Sequence, residues 1–265
     1  MIVINLSDTD KEQLINDMYD DLNDYLESNP VVDITIDKSD TDDYHENGLH
    51  CSKLGWCVRS EVMSYFNYPK KPVNLQTKLT FMRGNFYHEL VYKWIDNSSR
   101  YEPILREISV TPNLPKPYRG TFDIFFWDTS ENFTILADIK TANSNMFKKY
   151  SSFLPKEDNI KQLTAYYEAL NKSIRYIPDE LLMMYFSSGS DHPQFYFVEP
   201  YADIDIEMNK YIQAVEQYLV TKELPPRLDA TFNTNQAWQC SYCDFINTSC
   251  EGLIGEKQKK TRSKK

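Results

Sequence analysis

Two short apolar runs separated by a polar break constrain the fold of this 265-residue chain more than any other feature. The runs cover residues 119–127 and 133–141, and both are rich in β-branched and aromatic residues. Such runs joined by a short polar link predict a β-hairpin. Because side chains alternate along a strand, Asp138 and Lys140 fall on one face and Ile139 falls on the other.

The predicted hairpin brings charged side chains into a hydrophobic sheet. If Asp123 shares the face of Asp138, two carboxylates and the ammonium group of Lys140 meet at one edge of the sheet. Buried carboxylates are costly without partners, and divalent cations favour sites rich in carboxylate oxygens. The pattern therefore predicts a metal site suited to phosphodiester chemistry.

The length of the chain and 41% apolar content predict one sizeable folded core. No apolar run approaches the roughly 20 residues that cross a bilayer, and the first residues do not resemble a secretory signal. Five cysteines, unevenly spread, are not typical of a secreted disulfide framework. We therefore expect a cytoplasmic protein with no membrane partner.

The net charge of −10 is concentrated at the start of the chain. Residues 1–48 hold fourteen Asp and Glu against Lys11 and Lys38, which leaves 25 acids against 27 bases in the remainder. The remainder can therefore present a basic groove to a nucleic acid. The lysine-rich end, from Lys257 onward, is typical of a solvated, disordered tail.

The hydrophobic periods predict helices and strands in an α/β sandwich order. We expect three segments: an acidic segment with an amphipathic helix (1–48), a folded domain (49–252) and a basic tail (253–265). The N-terminal helix is expected to pack on the domain, with recruitment of a partner and coverage of the basic groove as a DNA mimic as the open alternatives. The predicted helices are 9–28, 79–95, 158–170 and 203–220, and the predicted strands outside the hairpin are 104–110, 181–186 and 194–198.

Two predicted helices add polar groups. His88 lies among residues that suit a buried helix, where a lone histidine is more often structural than a ligand. Gln162 and Tyr166 are four residues apart and therefore share one helical face. Each feature alone is also typical of an ordinary amphipathic helix.

The order of these motifs along residues 50–250 resembles the RecB-type branch of the PD-(D/E)xK nuclease superfamily. The motifs are Arg-Gly-x-x-x-His, Gly-x-x-Asp, Asp-x-Lys and Gln-x-x-x-Tyr, and Glu107 matches an acidic position that some members carry. The third-motif acid is often Glu in the family, so Asp138 is one methylene shorter. The matching residues are His88, Asp123, Asp138, Lys140, Gln162 and Tyr166.

The cysteines form a second pattern. Cys240, Cys243 and Cys250 are spaced as Cys-x2-Cys-x6-Cys, and Cys57 can supply a fourth thiolate from far away in the sequence. Four thiolates suit either an iron–sulfur cluster or a structural zinc ion. The arrangement is similar to the iron–sulfur subgroup of RecB-type nucleases, which includes the AddB subunit and CRISPR-associated exonucleases. Cys51 is expected to stay free, although an exchange of roles with Cys57 remains open.

The resemblance implies a restriction-endonuclease-like α/β core, with a mixed central sheet flanked by helices, closed by a four-cysteine [4Fe–4S] cluster. It also implies that His88, Asp123, Asp138 and the carbonyl of Ile139 hold Mn²⁺ or Mg²⁺. Lys140 would then orient a water molecule, and Gln162 and Tyr166 would position the DNA backbone.

The implied activity is that of an exonuclease acting on single-stranded DNA or duplex ends. The implied partners are DNA and the proteins of recombination, CRISPR adaptation or viral replication. Two other classes stay open: an inactive DNA-binding or adaptor module, and a structural zinc protein whose acids form ordinary surface pairs.

Overall fold

A computed structural model describes residues 6–29, 48–110, 118–142, 144, 147, 153–174, 177–189, 192–228 and 237–250. One mixed β-sheet with helices on both faces forms its body. The α-helices are α1 (Asp8–Ser28), α2 (Val58–Tyr65), α3 (Leu75–Asn97), α4 (Glu157–Ile174) and α5 (Ile204–Thr221). The strands are β1 (Leu49–His50), β2 (Tyr101–Val110), β3 (Tyr118–Asp128), β4 (Phe133–Ala142), β5 (Glu180–Ser187) and β6 (Gln194–Val198).

Strand β3 organises the sheet, because it pairs with three other strands. It is antiparallel to β2 along one edge and antiparallel to β4 along the other. Strand β1 pairs in parallel with the first residues of β3, beyond the point where β4 has left it. Strand β4 continues in parallel with β5, which is antiparallel to β6. The predicted hairpin is therefore confirmed as β3–β4, within a mixed sheet.

The two faces of the sheet have separate hydrophobic cores. Alternate residues of β4 divide between them, with Leu136 in one core and Ile135 and Ala137 in the other. This division follows from the two-residue period of a strand. Helices α4 and α5 cover the Leu136 face, whereas α1 and α3 cover the opposite face.

Helix α1 is part of the sheet's covering layer. It begins with a capping box between Ser7 and Asp10 and buries an apolar stripe against α3 and β6. Two acids of α1 also accept hydrogen bonds, Asp21 from Trp94 Nε1 at 2.7 Å and Asp17 from Arg100 at 2.7 Å. The expectation that the N-terminal helix packs on the domain is confirmed.

Several element boundaries differ from the sequence-based prediction. Helix α3 begins at Leu75, where the Asn74 side chain accepts from the Thr77 amide, rather than at Leu79. Strand β2 begins at Tyr101 and includes Pro103, which an edge strand tolerates because its outward amide needs no partner. The expected linker at 36–48, apart from Gly48, and the tail at 253–265 lie outside the described residues.

Candidate active site and cysteine pocket

The acidic residues lie at a fork in the sheet. Strands β3 and β4 pair as far as Ile124 and Ala137 and then separate. The next pair in this register is Asp123 and Asp138, which therefore face each other on the same side of the fork. Sequence alternation places Asp138 on the Leu136 face but cannot show where two paired strands part.

Asp123 bridges the two strands where their ladder ends. Its Oδ2 accepts a hydrogen bond from the backbone N–H of Ile139 at 2.6 Å. The carboxylate thus satisfies a backbone donor that separation of the strands would otherwise leave unpaired. Its Oδ1 lies 3.7 Å from Nδ1 of His88, which projects from α3. The structure therefore brings Ile139 to Asp123 through its N–H group, whereas the resemblance assigned a role to its carbonyl.

Asp138 and Lys140 form a close ion pair. Lys140 Nζ lies 2.7 Å from Oδ2 of Asp138, although the contact lacks hydrogen-bond geometry, and neither Asp138 oxygen has a hydrogen-bond partner among the described residues. Burial raises the pKa of Asp138 above its ordinary value, and the Lys140 ammonium opposes that shift. Burial alone would lower the pKa of Lys140, but the Asp138 and Asp123 carboxylates raise it, so the lysine remains an ammonium.

Helix α4 closes the site from the Leu136 face. Gln162 Nε2 donates to the hydroxyl of Tyr166 at 2.8 Å, and both side chains are buried. Burial raises the pKa of Tyr166, and the nearby Cys51 thiol, Asp138 and Asp123 add to the increase. Gly120 permits this approach, because a Cβ atom there would lie only 2.5 Å from the Tyr166 ring.

Tyr92 was not anticipated from the sequence. It lies one turn after His88 on α3, with the two ring centres 6.2 Å apart, and its hydroxyl donates to Glu107 Oε1 at 3.2 Å. Glu107 has a φ of 46°, a left-handed conformation that non-glycine residues rarely adopt within a strand. The four-residue spacing between His88 and Tyr92 was the signal that could have identified it.

Four of the five cysteines line one pocket. Cys57 comes from the residue before α2, and the other three come from the segment 237–250. Burial raises the pKa of Cys57, and the neighbouring thiols of Cys243 and Cys250 raise it further. The fifth cysteine, Cys51, is fully buried next to Gly120 and does not line the pocket.

Contacts other than thiols also fix the cysteine segment in place. Lys71 donates from its amide to the Asp244 carbonyl at 2.8 Å and from Nζ to the Cys243 carbonyl at 2.9 Å. Trp56 and Trp238 pack edge to face with ring centres 5.5 Å apart. These protein contacts hold the cysteine segment against the residues on either side of α2.

Both sites contain side chains of the types that bind metal ions. The unpartnered carboxylate of Asp138, the facing Asp123 and the imidazole of His88 suit Mn²⁺ or Mg²⁺. The four thiols suit an iron–sulfur cluster or zinc. Within the described part of the chain, however, no three His, Cys, Asp or Glu side chains converge closely enough to form a ready-made metal site.

All six residues that were predicted to be catalytic lie around the fork. Asp123, Asp138 and Lys140 come from its two strands, His88 approaches from α3, and Gln162 with Tyr166 approaches from α4. The structure thus brings the predicted residues together as one cluster.

Comparisons with known proteins leave the family open. No protein-family model and no curated protein matches the chain. Among solved structures, the crystal structure of SSO0001 is similar, with a TM-score of 0.49 and 16% sequence identity over 89% of this chain and 96% of the other. No helix in the described ranges is both long and apolar enough to cross a membrane.

Proposed function

We propose that the protein is a metal-dependent deoxyribonuclease that hydrolyses phosphodiester bonds in single-stranded DNA or at DNA ends. The observation that carries the proposal is the fork, where Asp123 and Asp138 face each other and Lys140 lies 2.7 Å from Asp138. Asp138 is fully buried, and its oxygens accept no hydrogen bond from the described residues, which costs stability. A role in binding a cation and a phosphate accounts for the presence of a buried carboxylate at this position.

The residues around the fork divide the work of cleavage. His88, Asp123 and Asp138 would hold Mn²⁺ or Mg²⁺, which supplies Lewis-acid polarisation of the phosphate and a more acidic water. Lys140 is placed to hydrogen-bond the attacking water and to stabilise negative charge on the phosphate oxygens. In the reaction, the water oxygen forms a bond to phosphorus and the bond to the leaving oxygen breaks. The attacking water releases one proton to solvent, and the leaving oxygen takes up one proton from solvent.

Gln162 and Tyr166 support the metal-binding residues and Lys140 from helix α4. Their mutual hydrogen bond and complete enclosure fix the Tyr166 hydroxyl near the two carboxylates. Tyr166 then limits the movement of Asp138 and of the phosphate that approaches it.

The residue order and the mixed sheet support a restriction-endonuclease-like core, with the cysteine pocket holding a structural [4Fe–4S] cluster.

Mn²⁺-dependent digestion of end-labelled single-stranded DNA tests the proposal. We expect the wild type to release short products and Lys140→Ala to reduce the rate at least 1,000-fold, because Lys140 acts on the reacting groups. A circular dichroism spectrum and a melting temperature close to those of the wild type would show that the variant is folded. Digestion by Lys140→Ala at the wild-type rate would show that the assignment is wrong.

The cysteine pocket also fits a second candidate, an inactive DNA-binding module with structural zinc, because four thiols alone satisfy zinc. Analysis of iron, zinc and acid-labile sulfide in anaerobically purified protein separates the two. Iron and sulfide together with Mn²⁺-dependent cleavage support the nuclease. Zinc without cleavage supports the binding module.

A further inference from the structure

Helix α3 extends well beyond the body of the domain before it reaches His88. From Leu75 to Phe86 the helix buries no side chain, whereas the core residues of α3 begin at Leu90. Isolated helical segments of this length are marginal in water, so an exposed one is typical of a surface that contacts a ligand. This part of α3 offers two different faces.

The first face is continuous with His88. At 100° per residue, Phe81 lies within about 20° of His88 around the helix and about 10 Å before it along the axis. Phe81 is a large aromatic residue that is 60% exposed. Between them lies Gly84, where an added Cβ atom would meet no atom of the described residues within 4 Å. This face is therefore open and leads directly to the fork.

The second face is aliphatic and points elsewhere. Leu75, Leu79, Met82 and Phe86 follow one another at spacings of four, three and four residues. Phe86 is 41% exposed and lies about 160° from His88 around the helix. It therefore provides a second exposed phenylalanine on the same helix that does not face the site.

The charge of this segment matches a polyanion. Residues 75–88 carry two cations, Lys78 and Arg83, and no acid, although the whole chain has a net charge of −10. Exposed aromatic side chains next to cations are typical of surfaces that bind single strands, because unpaired bases stack on the rings while cations contact phosphates. An acidic protein helix would instead favour the aliphatic face.

We infer that the His88 face of α3 is the track along which a single-stranded nucleic acid reaches the fork, with Phe81 stacking on an unpaired base. This inference rests on the proposed function and deepens it. The distance from Phe81 to His88 corresponds to roughly two or three nucleotides. Gly84 keeps the helix surface low between the stacked base and the phosphate that lies at the metal ligands.

Matched phenylalanine variants test the track. The probe is a fluorescein-labelled oligothymidylate of about 20 nucleotides, bound in Mn²⁺ to Lys140→Ala protein so that it is not cut. We expect Phe81→Ala to weaken binding about tenfold, as loss of one stacked base does, and Phe86→Ala to change it less than twofold. Phe81→Trp keeps the ring and should bind within about twofold of the parent, whereas Phe81→Leu should behave like Phe81→Ala.

Kinetics in the otherwise wild-type protein provide a second readout. Phe81→Ala should raise KM with little change in kcat, because Phe81 lies remote from the reacting phosphate. Gly84→Gln favours the helix and fills the open surface, so it should raise both KM and the melting temperature. On a blunt duplex of the same length, whose bases are paired, Phe81→Ala should have no effect.

The failures of the two proposals are distinguishable. Equal losses for Phe81→Ala and Phe86→Ala, full binding by Phe81→Leu, or an equal loss on duplex DNA would each overturn the stacking track. Parent binding with no effect of Phe81→Ala would also overturn it and leave the nuclease proposal intact. A wild type that does not cleave DNA, together with a Lys140→Ala parent that does not bind it, would overturn the nuclease proposal, and the track with it.

Discussion

The fork and the cysteine pocket are both built from polar side chains, but the chain holds them in different ways. At the fork, Asp123 and Asp138 are fixed by the register of two neighbouring strands, with hydrophobic residues on both faces. In the pocket, Cys57 meets a segment about 180 residues later in the chain, and loop hydrogen bonds hold the two together. Regular structure positions the first site, and long-range contacts position the second.

This contrast predicts that the acids at the fork matter mainly for cleavage, whereas the cysteines matter mainly for the stability of the folded chain. Asp138 is a buried carboxylate that pairs with Lys140, yet neither of its oxygens accepts a hydrogen bond within the described ranges, so it contributes little to the stability of the fold. The cysteines join two distant segments, so a metal bound there would stabilise the folded chain by linkage. The predictions below test this division.

The largest expected effect is at Asp138. Asp138→Asn should lower the cleavage rate at least 1,000-fold, because the amide is a poor ligand for a hard cation. The free energy of unfolding should fall by only about 1 kcal/mol, because losing the buried charge offsets losing the pair with Lys140, which is 24% exposed and keeps the Asp123 carboxylate nearby. Single-turnover cleavage and urea unfolding measure the two quantities.

Asp128 provides the matched control, because it is equally buried but also accepts hydrogen bonds, from Arg100 at 3.0 Å and from the Ser130 and Glu131 backbone N–H groups. Asp128→Asn should cost about 3 kcal/mol of stability, as breaking a buried ion pair does, with the cleavage rate of the folded protein unchanged. If Asp138→Asn were more destabilising than Asp128→Asn, Asp138 would have a structural role, which would contradict the prediction that it matters mainly for cleavage.

An intermediate effect is expected in the pocket. If the pocket holds the proposed iron–sulfur cluster, Cys243→Ser should lose about half or more of the iron and sulfide and about 2 kcal/mol of stability, and it should remain folded because the Lys71 and Trp56 contacts persist. Metal analysis and thermal unfolding check this expectation.

The control for the pocket is Cys51, which is buried outside it. Cys51→Ala should keep its metal and lose about 1 kcal/mol from the small cavity it creates. Metal loss from Cys51→Ala together with retention by Cys57→Ala would instead reverse the roles of these two residues.

The last effect depends on pH and involves Glu61, a buried acid that lines the cysteine pocket and accepts from the His50 amide at 2.7 Å. Burial raises the pKa of Glu61 from 4.5 to about 7. The folded state therefore holds a proton that the unfolded chain releases, and stability is lost as the pH rises from 4.5 through 7.

Glu61→Gln removes this titration and keeps the acceptor for His50. The variant should match the wild type near pH 4.5 and exceed it by about 3 kcal/mol at most near pH 8.5. Urea unfolding at both pH values measures the difference. A variant that is less stable than the wild type at alkaline pH would contradict the assignment.

The fork was largely predictable from the sequence because its information is local. The two-residue period of β3 and β4 places Asp138 and Lys140 on one face, and the helical spacing of Gln162 and Tyr166 does the same for α4. Strand β1 was not predicted, because two residues carry no period. The parting of β3 from β4 depends on β1 and β5, which are distant in sequence.

The pocket was less predictable because its geometry is non-local. Spacing alone offers both Cys51 and Cys57 as the upstream thiol, and only packing separates them, with Cys51 enclosed near Tyr166 and Cys57 at the start of α2. The exposed half of α3 was likewise not foreseen, because its apolar residues have the period of a buried helix.

The docking of α1 on β6 also determines when the first helix can find its place during synthesis. Lys11 pairs with Glu180 and Glu199, so the ribosome must make about 170 further residues after α1 before these partners exist. At roughly 5–20 residues per second, this takes on the order of ten seconds or more. The many acidic residues of α1 favour its solvation during that interval, so the composition of the helix matters to the nascent chain as well as to the finished fold.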